Sequence, residues 1–292
     1  MYYTHLAERK LIEISGDESA SFLQGLISND VMRLREGTAV YAALLTPQGK
    51  FLHDFFLTKR SSTILIDCAA ESLPDLLSRL SMYKLRSKVN IKAKEDLGVA
   101  AIWDGKPVQN SAFVMFLDPR LAELSWRIIG DIAAIESWCA GQKIPKKTMA
   151  DYERMRLELG IPDGARDMTR EKSLLLEFAF EDLNGVDFKK GCYVGQEVTA
   201  RSKYRGQVRK FIYQVHATHG TLPPSGTAVT LGDEPAGELR SNQNGIGLAL
   251  LNVAMVEKAL AGDINFQAGD AAFKATLPPW VAHPPKALTI AE

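Results

Sequence analysis

Apolar and charged residues alternate through residues 10–14, K-L-I-E-I, which is the period of a half-buried strand. Ser15 and Glu18 then stand at the S-x-x-E spacing of a capping box, and Phe22, Leu23, Leu26 and Ile27 follow at helical spacing. The chain is expected to open with a strand and then a helix that ends near Asn29 and Asp30. Residues 40–45 and 51–57 are apolar, β-prone runs on either side of T-P-Q-G-K, where Pro47 and Gly49 make a turn, so the whole reads as a hairpin. Residues 63–68 read as a further strand. Residues 73–85 read as a helix, with Pro74 in the first turn, where a missing N–H has no partner to lose. Strands are expected near 89–93, 98–103, 112–117 and 124–129, followed by a helix over 131–139. Over residues 45–140 this gives helices on one face of an antiparallel sheet.

Beyond a basic connector at 142–147, Tyr152, Met155, Arg156 and Leu159 mark a helix over 148–159, closed by Gly160 and Pro162. From Gly206 the pattern changes to short strands between Gly/Pro turns (P-P-S-G, G-D-E-P-A-G, N-Q-N-G), as in a small β-barrel or sandwich. Pro278, Pro279, Pro284 and Pro285 mark a loose tail.

Composition narrows this only a little. At 292 residues the chain exceeds one ordinary core, so two or three domains are expected. Its apolar fraction of 46% and charged fraction of 24% are those of a soluble globular protein. Lysine plus arginine equals aspartate plus glutamate at 35 each, which argues against a general polyanion binder. The cysteines at 68, 139 and 192 form no close pair, so no metal site is expected, and their sparse spacing fits a reducing compartment. The first residues resemble neither a secretory nor an organellar signal, and the longest apolar run, 245–255, is too short to span a bilayer. The expectation is a soluble, cytoplasmic protein.

The densest chemistry lies in residues 189–201, K-K-G-C-Y-V-G-Q-E-V-T-A-R. Cys192 follows two lysines and sits between Gly191 and Gly195, which admit a tight turn or a close ligand. Positive charge beside a thiol favours thiolate. A buried thiol in a glycine-rich connection is the plainer alternative. Over residues 187–210 seven cations face two acids, a patch suited to an anion or to a solvated domain junction. Tyr193 and Tyr204 within it could stack on a flat heterocycle or simply pack. Arg154 and Glu158 stand at i, i+4, the spacing of a surface ion pair; a buried Glu158 would instead accept N–H groups from a pterin-like ring. His53 and Asp54 are neighbours in a strand and point to opposite faces, so a single acid, Asp54, is the better candidate than a dyad.

These segments resemble the YgfZ family, folate-binding proteins related to the glycine-cleavage T-protein that support iron–sulfur cluster assembly or repair. The resemblance is carried by K-G-C-Y-V-G-Q-E (190–197) with Arg201, and by L-Q-G-L-I-S-N-D-V (23–31), P-Q-G-K-F-L-H-D (47–54) and R-L-E-L-G-I-P (156–162), over about residues 5–255. It implies an α+β fold, a three-lobed ring with ferredoxin-like α+β lobes and a C-terminal small β-barrel. The lobes would be 1–46 plus 142–205, then 47–141, then 206–285, with 286–292 as a tail. It implies tetrahydrofolate or a one-carbon derivative as ligand, with Glu158 on the pterin and the glutamyl tail near 201–210. The expected binding set is Glu158, Lys190, Gly191, Tyr193, Gln196, Glu197, Arg201 and Arg205. Cys192 is the expected reactive thiol, and the expected partners are iron–sulfur enzymes or assembly factors, met transiently by a monomer. Where the aminomethyltransferase carries paired acids, this chain has His53 and Asp54, and the cysteine loop is absent from the transferases. A tetrahydrofolate-dependent aminomethyltransferase using Asp54 is the alternative, and an RNA-binding or tRNA-modification module is a further one.

Overall fold

A computed structural model describes residues 1–205 and 208–285, with the backbone alone at Arg205. The expected tail at 286–292 lies outside the described residues. The chain divides into two compact units, residues 1–152 with 183–196 and residues 153–182 with 197–292.

In the first unit the strands are β1 (Tyr2–His5), β2 (Arg9–Ser15), β3 (Ala39–Leu45), β4 (Phe51–Arg60), β5 (Thr63–Ala69), β6 (Asn90–Lys94), β7 (Gly98–Trp103), β8 (Val114–Leu117) and β9 (Trp126–Gly130). The helices are α1 (Ser19–Gln24), α2 (Leu73–Lys84), α3 (Ile132–Gly141) and α4 (Met149–Glu158), the last crossing the division between units. Two antiparallel sheets form, ordered β3-β4-β5-β2-β6 and β1-β7-β9-β8. The strands of residues 47–141 do not pair only among themselves. β4 and β5 pair with β3 and β2 from outside that span, and β7 to β9 pair with β1.

Each sheet buries one face under helices. Ile12, Ile14, Phe55, Leu57 and Ile66 pack with Leu23 of α1 and with Leu76 and Leu80 of α2. Ala100, Ile102 and Ile128 pack with Ile135 and Cys139 of α3. A polar layer also forms. Arg127 of β9 reaches Asp67 of β5 at 2.7 Å and Asp118 at 3.1 Å, Arg9 reaches Asp67 at 2.6 Å, and Arg120 holds Asp118 at 3.0 Å. The Arg127 guanidinium lies 3.8 Å from the centre of the Phe56 ring. Burial alone would raise the Asp118 carboxyl, but the guanidiniums of Arg120 and Arg127 outweigh it and hold the group below the usual carboxylate range. Such a layer adds little net stability, yet removing one member strands a buried charge.

The expected capping box does not form. Gly16, at φ +114°, turns the chain while Ser15 stays paired with Asn90 in the sheet, so α1 starts four residues later. Glu18 instead accepts the Lys88 backbone N–H at 2.9 Å. The helix also ends at Gln24, short of Asn29 and Asp30, because 25–30 turns to meet β3 through Ser28.

In the second unit, α5 (Gly164–Asp167) and α6 (Gln196–Arg205, whose first residue belongs to the first unit) precede a closed barrel. Its strands are β10 (Lys210–His219), β11 (Ala228–Leu231), β12 (Glu234–Gln243), β13 (Ile246–Asn252), β14 (Phe266–Ala268) and β15 (Ala271–Thr276), ordered β10-β13-β12-β11-β14-β15. Closure removes the free edges that short strands would otherwise expose. One helix, α7 (Val253–Gly262), interrupts the strand series; Asn252 caps it by accepting the Ala254 N–H. Residues 278–283 are not loose. Trp280 Nε1 donates to Leu159 O at 2.7 Å, and Asp182 accepts from the His283 ring and from the Ala282 and His283 main chain.

Candidate functional site

Residues 184–196 return to the first unit and lie along the turn that follows α1. That turn is braced internally: Gln24 donates to Asp30 Oδ1 and accepts from Val31 N–H, both at 3.0 Å. The returning segment fastens to it by main-chain bonds, Asp187 N–H to Ser28 O at 3.0 Å and Val194 N–H to Gly25 O at 3.2 Å. Side chains add to these. Ser28 Oγ donates to Gly185 O, Asn29 Nδ2 donates to both Tyr41 O and Asn184 O, and Arg33 pairs with Asp187 at 2.9 Å.

Lys190 points inward. Its Nζ donates to Ile27 O at 2.6 Å and to Asn29 O at 2.7 Å, and lies 5.2 Å from the centre of the buried Tyr193 ring. Burial pulls its pKa down to about 8, against the pull of Asp30 and Asp187. Gly191 and Gly195 both take positive φ, +89° and +80°. Between them the Cys192 thiol is exposed, while Cys68 and Cys139 are buried. The cysteine turn expected from the glycines is thus present, but one of its two cations is committed to carbonyl oxygens. Three segments that the sequence holds far apart, 23–31, 46–49 and 184–196, meet here, since Gly195 also packs on Leu45, Thr46 and Gly49.

The other expected residues are placed differently. Gln196 follows on the same segment, at the start of α6, its N–H donating to Tyr193 O. Glu197, Arg201 and Glu158 belong to the second unit. Glu197 pairs with Arg201 one turn on, and both are exposed. Glu158 is 47% exposed and accepts from Arg154 Nε at 2.8 Å, so the surface ion pair is the reading that holds and the buried acceptor is not. The Arg205 side chain lies outside the described residues. Lys203 pairs with Glu181, so the run of cations is split between units and partly neutralised.

Asp54 is buried and accepts the Tyr41 hydroxyl at 2.9 Å, while His53, on the opposite face of β4, lies 2.6 Å from Asp75 of α2. Two buried features carried no sequence signal. One is the Arg127 layer. The other is Arg156, almost fully enclosed, which binds Glu153, Ile161 O and Asp167, the last at 3.0 Å. Asp167 in turn accepts the Ser241 N–H of β12, tying the 153–182 segment to the barrel. Among the described residues no group of three or more metal-ligating side chains converges.

Sheets of this order joined to a closed barrel define an aminomethyltransferase-T-like fold. The crystal structure of glycine cleavage system aminomethyltransferase T from Bartonella henselae superposes with a TM-score of 0.77 over 96% of this chain and 86% of that one, at 14% identity. Residues 197–283 match the family described as the CAF17 C-terminal β-barrel domain. The iron–sulfur cluster assembly factor IBA57, mitochondrial, is 31% identical in Mus musculus and 29% identical in Homo sapiens, in each case over 93% of this chain and 83% of the relative. The Mycosarcoma maydis homologue is 34% identical over 74% of this chain and 58% of its own length. The chain belongs to the IBA57 family of iron–sulfur cluster assembly factors.

These names correct one expectation. The relatives are mitochondrial proteins, not cytoplasmic ones. The cytoplasmic reading rested on the first residues lacking a leader-like pattern, and the start of a given sequence does not report its compartment.

Proposed function

We propose that this protein is an iron–sulfur cluster assembly factor that acts through Cys192 with iron–sulfur enzymes or other assembly proteins. The observation that carries the reading is one exposed thiol on a loop fastened at several points, in a family whose members are named for this role. One thiolate cannot hold a cluster alone, so the cluster is cargo whose remaining ligands come from the partner. The finer placement with YgfZ-type proteins rests on K-G-C-Y-V-G-Q-E at 190–197. In cells lacking the endogenous protein, wild type is expected to restore the activity of an iron–sulfur enzyme and Cys192→Ala to fail. Full rescue by Cys192→Ala ends the reading.

Tetrahydrofolate binding is proposed on the resemblance of residues 156–162, with no step derived through it. Its support is that an exposed Arg154–Glu158 pair is worth at most about 1 kcal/mol, so a ligand displaces Arg154 at little cost. Titration calorimetry with tetrahydrofolate should show binding that survives Cys192→Ala and is lost in Glu158→Ala. Equal binding by both variants removes Glu158 from the site.

A further inference from the structure

We infer that Lys190 is a positioning residue: its half-buried amino group pegs the 184–196 segment to the turn after α1 and so fixes where the Cys192 thiol is displayed. The inference rests on the proposed role of Cys192 for its functional half, and on geometry alone for its structural half.

Of the five residues from Lys189 to Tyr193, Lys189, Gly191 and Cys192 are exposed, while Lys190 and Tyr193 turn inward. An inward lysine is unusual, because an ammonium loses hydration that must be replaced by acceptors. Here the replacement is specific. The α1 helix ends at Gln24, and the turn behind it presents the carbonyls of Ile27 and Asn29 toward the returning segment. One Nζ satisfies both, and the Tyr193 ring shields the same group. Gln24 Nε2 donates to the Lys190 carbonyl at 3.3 Å, so the residue is held at its backbone and at its tip. Cys192 lies two residues on, after a glycine whose missing Cβ has open space around it. Gly191 therefore restrains the thiol little, and the nearest firm anchor on the N-terminal side is Lys190. On the other side the anchors are the buried Tyr193, the Val194 N–H on Gly25 O, and Gly195, wedged against Leu45 and Thr46.

The test uses the full chain with Lys190→Met, which keeps the length and apolar stem but not the donors, and Lys190→Arg, which keeps the cation. Amide exchange at Asp187 and Val194 reads loop docking. Exchange in the barrel strands β10 and β13 reads whether the rest of the fold is intact. Losing a charged donor from two carbonyls is expected to speed loop exchange about tenfold or more in Lys190→Met and less in Lys190→Arg, with the barrel unchanged. Unchanged loop exchange in Lys190→Met overturns the inference. The second readout is rescue of an iron–sulfur enzyme in cells, where Lys190→Met is expected to fall toward Cys192→Ala. Full rescue by a Lys190→Met protein with a loosened loop overturns the functional half. Should Cys192→Ala itself rescue fully, the thiol reading fails, and the exchange data still decide whether Lys190 is the peg. If Lys190→Met does not accumulate folded, Lys190→Arg carries the same comparison, and wild-type exchange and rescue together in that variant count against the requirement for a lysine tip.

Discussion

Gly195→Ala is expected to loosen the cysteine loop far more than Gly191→Ala, although the two glycines share a backbone conformation. At φ +80° and +89° either alanine suffers its own Cβ clash, about 1–2 kcal/mol. The surroundings then separate them. A Cβ at 191 meets nothing within 4 Å, whereas at 195 it would lie 2.5 Å from Thr46 O, 2.9 Å from Leu45 Cβ and 3.0 Å from Gly49 Cα. Two of those atoms belong to the main chain of the β3–β4 hairpin and cannot swing aside, and overpacking of this kind adds about 1–3 kcal/mol. The totals are about 1–2 kcal/mol at 191 and about 2–5 kcal/mol at 195. Native-state exchange of the Val194 N–H, bonded to Gly25 O, reads them directly. With tenfold per 1.4 kcal/mol, the acceleration is about 5- to 30-fold for Gly191→Ala and about 30-fold or more for Gly195→Ala. Equal acceleration in the two variants, or none at 195, would refute the claim that the hairpin turn buttresses the loop.

Native protein at neutral pH should take one iodoacetamide, at Cys192, because burial pushes the thiols of Cys68 and Cys139 up to about 12 and about 11; peptide mapping that finds either alkylated in folded protein contradicts this. The raised Cys68 pKa also fixes a pH trend. The folded state keeps its proton while the unfolded thiol ionises from 9.0, so stability from this site is intact below pH 9 and is lost between 9 and about 12. By pH 10.5 the loss is about 2 kcal/mol in urea unfolding, and Cys68→Ala should remove that slope. Arg156→Met strands Asp167 in the interior and should cost about 3–5 kcal/mol in the second unit, toward the low end because the Asp163 and Ser241 N–H groups remain on Asp167; a cost below about 1 kcal/mol, read by amide signals of the barrel, would show the charge is not needed there.

Where the sequence was legible, the signal was local. The hairpin around Pro47 and Gly49, helix α2 and the barrel strands all announce themselves by period and by turn residues within a dozen positions. Three features escaped for stated reasons. Strand β1 is four residues long and exists because β7, about a hundred residues later, offers an edge to Tyr2–His5. Helix α6 carries Q-E-V-T-A-R-S-K-Y-R, with no apolar stripe to reveal it, and read as a run of charge. The Arg9–Asp67–Arg127–Asp118 layer depends on Asp67 meeting Arg9 and Arg127, 58 and 60 positions away, which no short window contains. The loop was the intermediate case. Its glycines and cysteine were legible, but the inward turn of Lys190 required the carbonyls of Ile27 and Asn29, which are backbone atoms and leave no trace in residue identity.

The placement of Asp54 bears on how one fold carries different work. A general base must reach a substrate proton, about 3 Å away or through one water. Asp54 is buried, its carboxylate accepts the Tyr41 hydroxyl, and the Tyr41 ring stacks on Phe56 at 5.1 Å, the ring that also carries Arg127. Freeing Asp54 for proton transfer would expose a group built into the packing of the Arg127 layer, at the cost attached to breaking a buried polar network. Cys192 has the opposite setting. Its thiol meets solvent, and the costs of holding it there fall on the half-buried Lys190 and Gly195. A shared scaffold with the aminomethyltransferase is therefore compatible with the different chemistry proposed above, because Asp54 is tied into the packing while the Cys192 thiol is displayed on a loop.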